Sequence, residues 1–123
     1  MFDHILLKVS DFERSKKFYK PILETLGLEL SIDGESYIGF ANKGKLQLML
    51  KGGTAAETSR NVHIAFSAQS RKDVDNFHRL ALMAGGVSEG APGLRNKYHP
   101  NYYAAFVIDP DGNNIEAVCH KHV

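Results

Sequence analysis

A single cysteine, no run of basic residues and no long apolar stretch set the first limits on this 123-residue chain. With Cys119 alone, no internal disulfide can close, which suits a reducing compartment. Fifteen Lys and Arg against fourteen Asp and Glu leave a formal charge of +1, and the cations are scattered. Binding to nucleic acid or to a membrane surface needs a basic stripe, so neither is expected. No apolar segment approaches the ~20 residues of a spanning helix. Met1-Phe2-Asp3-His4 leads straight into a strand pattern, without the basic and apolar regions of a secretory signal. The expectation is a soluble cytoplasmic protein. At this length it forms one compact domain, and an apolar content of 43% is enough to build its core.

What is present is a repeat. His4 and His63 lie 59 positions apart (63 − 4), and the same interval pairs Ile5 with Ile64, Phe18 with Phe77, Leu23 with Leu82 and Gly27 with Gly86. Ordinary residue usage gives roughly one match per sixteen columns, hence one or two over this stretch rather than five. The matches fall at a strand start, a helix face and a helix stop. The chain therefore reads as two copies of one unit, module one about 1–52 and module two about 61–123, joined by a glycine-rich linker about 53–60.

In module one, Ile5, Leu7 and Val9 alternate with His4, Leu6 and Lys8, the period of a two-faced strand. Ser10-Asp11-Phe12-Glu13 reads as a capping box for a helix carrying Phe12, Ser15, Tyr19, Ile22 and Leu26, with Gly27 as its stop. Pro21 is expected to kink or break that helix. Strands are expected over 28–32, 37–40 and 46–50, giving a βαβββ unit. Module two restarts at Val62-His63-Ile64-Ala65-Phe66. Ser70 caps a helix with Val74, Phe77, Ala81 and Ala84 that stops at Gly85-Gly86. A strand near Val87, a long segment 90–101, a strand over 102–108, the turn Asp109-Pro110-Asp111-Gly112 and a strand over 115–119 follow. About ten extra residues precede its third strand, and insertions of this kind in small domains are usually functional. Matching the last strands with that insertion places Gln47 opposite Glu116, an offset of 69.

Each module alone has one half-buried curved sheet and one helix, too little to close a core. Pairing the sheets yields an α+β fold with a shared trough. His4, Gln47, His63 and Glu116, on first and last strands, are candidates to face it. Two imidazoles and a carboxylate suit Fe, Mn, Ni or Zn as a divalent ion with positions left for substrate. Gln47 supplies a carbonyl oxygen or a neutral hydrogen-bonding group behind the ligands. Glu116 sits inside the apolar run Ile115, Ala117, Val118, where an unpartnered carboxylate is costly to bury. Its plain alternative is a wet strand face.

The βαβββ duplication, the His4-x-x-Leu7-x-Val9 opening, Phe18-Tyr19 followed by Leu26-Gly27, the second histidine and Asp109-Pro110-Asp111-Gly112-Asn113-x-Ile115-Glu116 resemble the vicinal oxygen chelate superfamily. That group includes glyoxalase I, fosfomycin-resistance transferases, extradiol dioxygenases and bleomycin-resistance proteins, and the look is nearest to small glyoxalase-like proteins. The resemblance implies metal ligation by His4, His63 and Glu116, with Gln47 at the variable fourth position and Glu116 or Gln47 taking part in catalysis. It implies a lyase or isomerase that chelates the vicinal oxygens of a small substrate and spreads enediolate-type charge. A drug- or metabolite-binding protein and an iron dioxygenase are the alternatives. Lys8 aligns with a basic residue that grips a substrate carboxylate in glyoxalases, although as Lys it lacks the bidentate fork of Arg.

The insertion brings Arg95, Tyr98, His99, Tyr102 and Tyr103, a cationic and phenolic set suited to a small anionic substrate if the segment closes as a lid, or an ordinary surface loop otherwise. Arg95, Tyr98, His99 and Tyr103 are the candidate substrate contacts there. His78 reads as exposed, and His120 and His122 as lying near a frayed terminus. Open trough edges favour a homodimer, with modules pairing within one chain or across two.

Overall fold

A computed structural model describes residues 1–122. Module one contains β1 (Ile5–Val9), α1 (Phe12–Glu24), β2 (Glu29–Asp33), β3 (Tyr37–Asn42) and β4 (Lys45–Gly52). A short 3-10 turn at Ala55–Glu57 leads to β5 (His63–Ser67), α2 (Arg71–Met83), β6 (Val87–Leu94), β7 (Tyr103–Ile108) and β8 (Asn114–Cys119). The strands form two separate four-stranded mixed sheets, ordered β1-β4-β3-β2 and β5-β8-β7-β6. In each, the first strand pairs in parallel with the last and the remaining pairings are antiparallel. This is the expected βαβββ duplication, and among the described residues the two sheets do not merge.

The helices form for the reasons the periodicity gives. α1 buries Ser15, Phe18, Tyr19, Ile22 and Leu23, a stripe at helical spacing. Its cap differs from the expected capping box: Asp11 is the N-cap and accepts from the Arg14 amide, while the Ser10 hydroxyl turns to Asp111 instead. Pro21 does not end the helix, which continues to Glu24. The carbonyl it orphans belongs to exposed Lys17, where water can satisfy it. α2 is capped by Ser70, which accepts from the Asp73 amide, and buries Val74, Phe77 and Ala81. The residues in left-handed conformation after the helices are Gly27 (φ 82°) and Gly85 (φ 98°). Gly86 matters for packing instead. A Cβ there would lie 2.8 Å from Phe18, so its bareness lets α1 approach the end of α2.

One continuous core runs from the helix-covered face of the first sheet, through packed α1 and α2, to that of the second. Leu7, Val9, Ile38, Phe40, Leu48 and Leu50 fill one side, and Ile64, Ala105, Val107, Ile115, Ala117 and Cys119 the other. The opposite sheet faces carry Leu6 and Lys8 on β1, with His4 just before it, and His63, Ala65 and Ser67 on β5, because side chains alternate along a strand.

Between the modules lies a polar clasp built from the Asp109–Asn113 turn. Asp109, 4% exposed, accepts from the hydroxyl of Tyr19 on α1, from the amides of Asp111 (2.9 Å) and Asn113 (2.8 Å), and from the Asn113 side chain (3.1 Å). Asn113 also donates to the Ser59 carbonyl (2.9 Å) and accepts from the Val62 amide (3.0 Å). Asp111 accepts from the Ser10 hydroxyl (2.5 Å) and amide (3.2 Å) and from Arg14 (3.3 Å). The Tyr19 phenol is pushed well above its ordinary pKa by burial and then by the Asp109 charge, so it stays a donor. Removing that donor leaves a buried carboxylate short of one partner, which costs about 1–3 kcal/mol. Tyr19→Phe should therefore lower the free energy of urea unfolding by that amount, and an unchanged midpoint would contradict the clasp.

Candidate metal centre

On the outer face of the second sheet, β5 and β8 pair so that Ala65 lies opposite Glu116 and His63 opposite Asn114. His63 and Glu116 are thus diagonal neighbours on one face, and His63 Nε2 lies 2.9 Å from Glu116 Oε1. Glu116 is 2% exposed, whereas the His63 side chain is 51% exposed. The other carboxylate oxygen, Oε2, accepts from the hydroxyl of Tyr102. Burial first, then the hydrogen bond to Glu116 and its charge, push the Tyr102 phenol up to about 12. The buried carboxylate therefore has both oxygens engaged, one by an imidazole and one by a protonated phenol. Phe106, opposite Glu116 on β7, places its ring nearly parallel to that of His63, with centroids 6.2 Å apart.

His4 stands at the matching start of β1, on the other sheet. Its Nδ1 lies 2.6 Å from Asp3 Oδ1, a contact that holds the Asp3 carboxyl below its usual range, through the hydrogen bond and then the charge of His4. A carboxylate on Nδ1 leaves Nε2 as the outward nitrogen, the arrangement that orients ligating imidazoles. Among the described residues, no three His, Cys, Asp or Glu side chains gather closely enough to hold a metal ion, so His4 does not join His63 and Glu116 within one chain.

The sheet registers revise the place of Gln47. Gly39 pairs with Met49 where Phe106 pairs with Glu116, and Leu6 pairs with Met49 where Ala65 pairs with Glu116. The offset between last strands is 67 (116 − 49), not 69. Met49 is the counterpart of Glu116, and Gln47 that of Asn114. Gln47 bonds weakly to the Lys45 carbonyl (3.4 Å) and lines a groove of about 530 Å³ with Leu26, Leu28, Lys43, Lys45 and Phe66. The expected fourth ligand is thus displaced by one strand repeat, because the net insertion in module two is two residues shorter than the sequence pattern suggests.

The insertion is also more ordered than a hinged lid. Gly90 to Leu94 belong to β6, paired to β7 with two register shifts, which confines the loop to 95–102. Arg95 donates to the Ala91 carbonyl (2.7 Å) and lies over the Phe106 ring, 5.5 Å from its centroid. Together with Glu89, Lys97, Tyr98, Phe106 and Asn114 it lines a shallow cavity of about 250 Å³ beside His63. Tyr98 packs on Tyr102, with centroids 4.8 Å apart. His99 Nε2 meets His120 Nδ1 at 2.7 Å, so His120 is tied to the loop rather than lying in a frayed end. Tyr103, expected at the substrate, points to the helix side, where it donates to Asp75 (2.6 Å) under Arg71. Strand alternation gives the outer face to Tyr102 instead. Lys8 lies 3.7 Å from Glu57 of the linker turn. His78 is half-buried rather than exposed, bonded to the Ser88 hydroxyl at 2.8 Å, with burial lowering its pKa.

The sequence profile of the Glyoxalase/Bleomycin resistance protein/Dioxygenase superfamily matches residues 1–117, and the chain belongs to that superfamily. The crystal structure of a glyoxalase/bleomycin resistance protein from Albidiferax ferrireducens superimposes with a TM-score of 0.81 at 31% identity, covering 97% of this chain and 98% of that one. A glyoxalase-related enzyme from Fulvimarina pelagi (22% identity, TM-score 0.72, 97% of this chain and 87% of that one) shares the fold. So does a family enzyme from Burkholderia phytofirmans (18%, 0.73, 97% and 98%). No curated protein matches the chain.

Arg95 lines the cavity beside His63 on the outer face, whereas Tyr103 is on the helix side. If this cavity takes a small anionic substrate, Arg95→Ala should weaken binding of small 2-oxo or 2-hydroxy carboxylates at least about tenfold, the worth of one charge-assisted contact. Tyr103→Phe should leave it unchanged. Calorimetric titration at equal protein loading checks both, and equal affinities for wild type and Arg95→Ala would contradict the assignment.

Proposed function

We propose that the protein is a metal-dependent lyase or isomerase of the glyoxalase type, acting on a small substrate with vicinal oxygens. The observation that carries this reading is the pairing of His63 Nε2 with Glu116 Oε1 at 2.9 Å on one sheet face of a superfamily in which a divalent ion is typical. The spacing suits the group: two donors about 2.1 Å from one ion and about 90° apart lie about 3 Å from each other. His4, turned outward by Asp3, is the third donor, and it reaches the pair from a second copy of the chain. Two such sites then form per two-fold dimer, each from module one of one copy and module two of the other.

When bound, the ion supplies Lewis-acid stabilisation of negative charge on the substrate oxygens. The chain supplies the rest. Phe106 and Arg95 give the substrate a flat apolar contact and a cation beside His63. Glu116 would hold the ion through Oε1, beside the His63 nitrogen, and could take a substrate proton at that oxygen only by leaving the ion. Met49 at the fourth position favours a second reading. Two imidazoles and one carboxylate without a fourth protein ligand also suit a non-haem iron dioxygenase.

Wild-type protein should carry one divalent ion per chain after metal loading and dialysis, and should scatter light as a dimer. His63→Ala should lose the ion, and His78→Ala should keep it. Elemental analysis reads the outcome, and equal retention in both variants would overturn the site. Iron with oxygen-sensitive activity would select the dioxygenase, and nickel or zinc the lyase.

A further inference from the structure

Tyr102, grouped with the phenols of the insertion but not placed among the substrate contacts, closes one side of the buried carboxylate. Its position follows from strand alternation. Tyr103 turns to the helix side against Asp75, so its neighbour faces the outer side, where its hydroxyl donates to Glu116 Oε2. The ring is held from several directions. Tyr98 packs on it at 4.8 Å, and His99 and His120 meet it edge-on, each at 5.3 Å. Its backbone is fixed as well: the Arg95 amide donates to the Tyr102 carbonyl (2.7 Å), and the Tyr102 amide donates to the His99 carbonyl (3.2 Å). The pairing of His99 with His120 links this cage to the end of β8, the strand that carries Glu116. A phenol so enclosed cannot swing aside without disturbing the whole loop 95–102.

The consequence is chemical. With Oε2 taken by a hydroxyl proton, Glu116 has one oxygen left to offer, the Oε1 already turned to His63. A carboxylate limited to one oxygen gives the site an imidazole-rich donor set. A carboxylate free to bind through both oxygens shifts the set toward oxygen. Imidazole nitrogen suits nickel, zinc and iron, whereas carboxylate oxygen suits manganese and calcium. We propose that Tyr102 is a positioning residue that restricts Glu116 to one-oxygen ligation and thereby sets the ion preference of the site toward nickel-like ions over manganese. This rests on the reading of His4, His63 and Glu116 as ligands.

The test uses the assembled protein, stripped of metal and titrated separately with Ni²⁺ and Mn²⁺ by calorimetry, with Mn²⁺ also followed by its electron paramagnetic resonance signal. Tyr102→Phe keeps the ring in its cage and removes only the hydroxyl. The variant should weaken Ni²⁺ binding about 10- to 100-fold, the usual effect of losing a partner behind a ligand. The ratio of Ni²⁺ to Mn²⁺ affinity should fall at least about tenfold. Tyr103→Phe, which removes the adjacent phenol from the opposite face, should leave the ratio at the wild-type value. A general loosening of the fold weakens both ions alike, so an unchanged ratio in Tyr102→Phe would overturn the role of Tyr102 while leaving the ligand set intact. A wild type that binds neither ion would overturn the ligand set itself. If Tyr102→Phe fails to fold, Tyr102→Leu removes the hydroxyl and adds no metal-binding atom, and the same fall in ratio is required of it.

Discussion

The structure depends on a buried carboxylate at the junction of the two modules, that of Asp109. Asp109 gathers one phenol, two backbone amides and one side-chain amide, and these come from both halves of the chain. A buried charge without partners would be strongly destabilising, so the turn holds one shape only where Tyr19 and Asn113 are in place. That shape fixes where β8 begins. Since β8 pairs in parallel with β5, it also fixes which residue of β8 lies beside His63. The Asp-Pro-Asp-Gly-Asn segment is therefore a clasp that sets register. Its closeness to Glu116 in sequence follows from that role, since β8 begins directly after it.

Glu116 repeats the same physics for a different end. It too is a buried carboxylate with its oxygens satisfied, but its partners are an exposed imidazole and a loop phenol. Asp109 is locked among groups that face only inward. Glu116 lies at a sheet face where Phe106, stacked beside His63, lines an open cavity. One carboxylate is sealed as structure and the other is held ready with one oxygen beside a nitrogen donor. Burial alone does not separate the two roles; the accessibility of the partner does.

Much of this was legible in the sequence, and the failures have a common physical source. The 59-residue repeat located both helices, whose spans differ by that interval, and placed one histidine at the start of β5 and the other just before β1. Helix faces were readable because Phe18, Tyr19 and Ile22, or Val74 and Phe77, repeat at helical spacing. Register was less readable, since it is set by turn lengths and bulges. A slip of two residues exchanged Met49 for Gln47, and a slip of one put Tyr103 where Tyr102 belongs. The irregular, glycine-rich pairing of β6 disguised a strand as a loop, because Gly90 and Gly93 leave no alternating pattern. The Tyr102–Glu116 contact joins a loop to a strand fourteen positions away, and no local pattern announces it. Asp3, by contrast, adjoins His4 and could have been found from that adjacency alone.

The central claim is that each metal site is shared, with His4 from one copy and His63 and Glu116 from another. Co-refolding of a His4→Ala chain with a differently tagged His63→Ala chain tests it directly. Neither variant alone has an intact ligand set in any pairing. In the mixed dimer, one site combines both substitutions and the other combines both native halves. The account predicts that the purified mixed dimer regains one tightly bound divalent ion per two chains, while each parent dimer binds none. A mixed dimer that binds no ion, beside a wild type that binds two, would place all three ligands within a single chain and contradict the account.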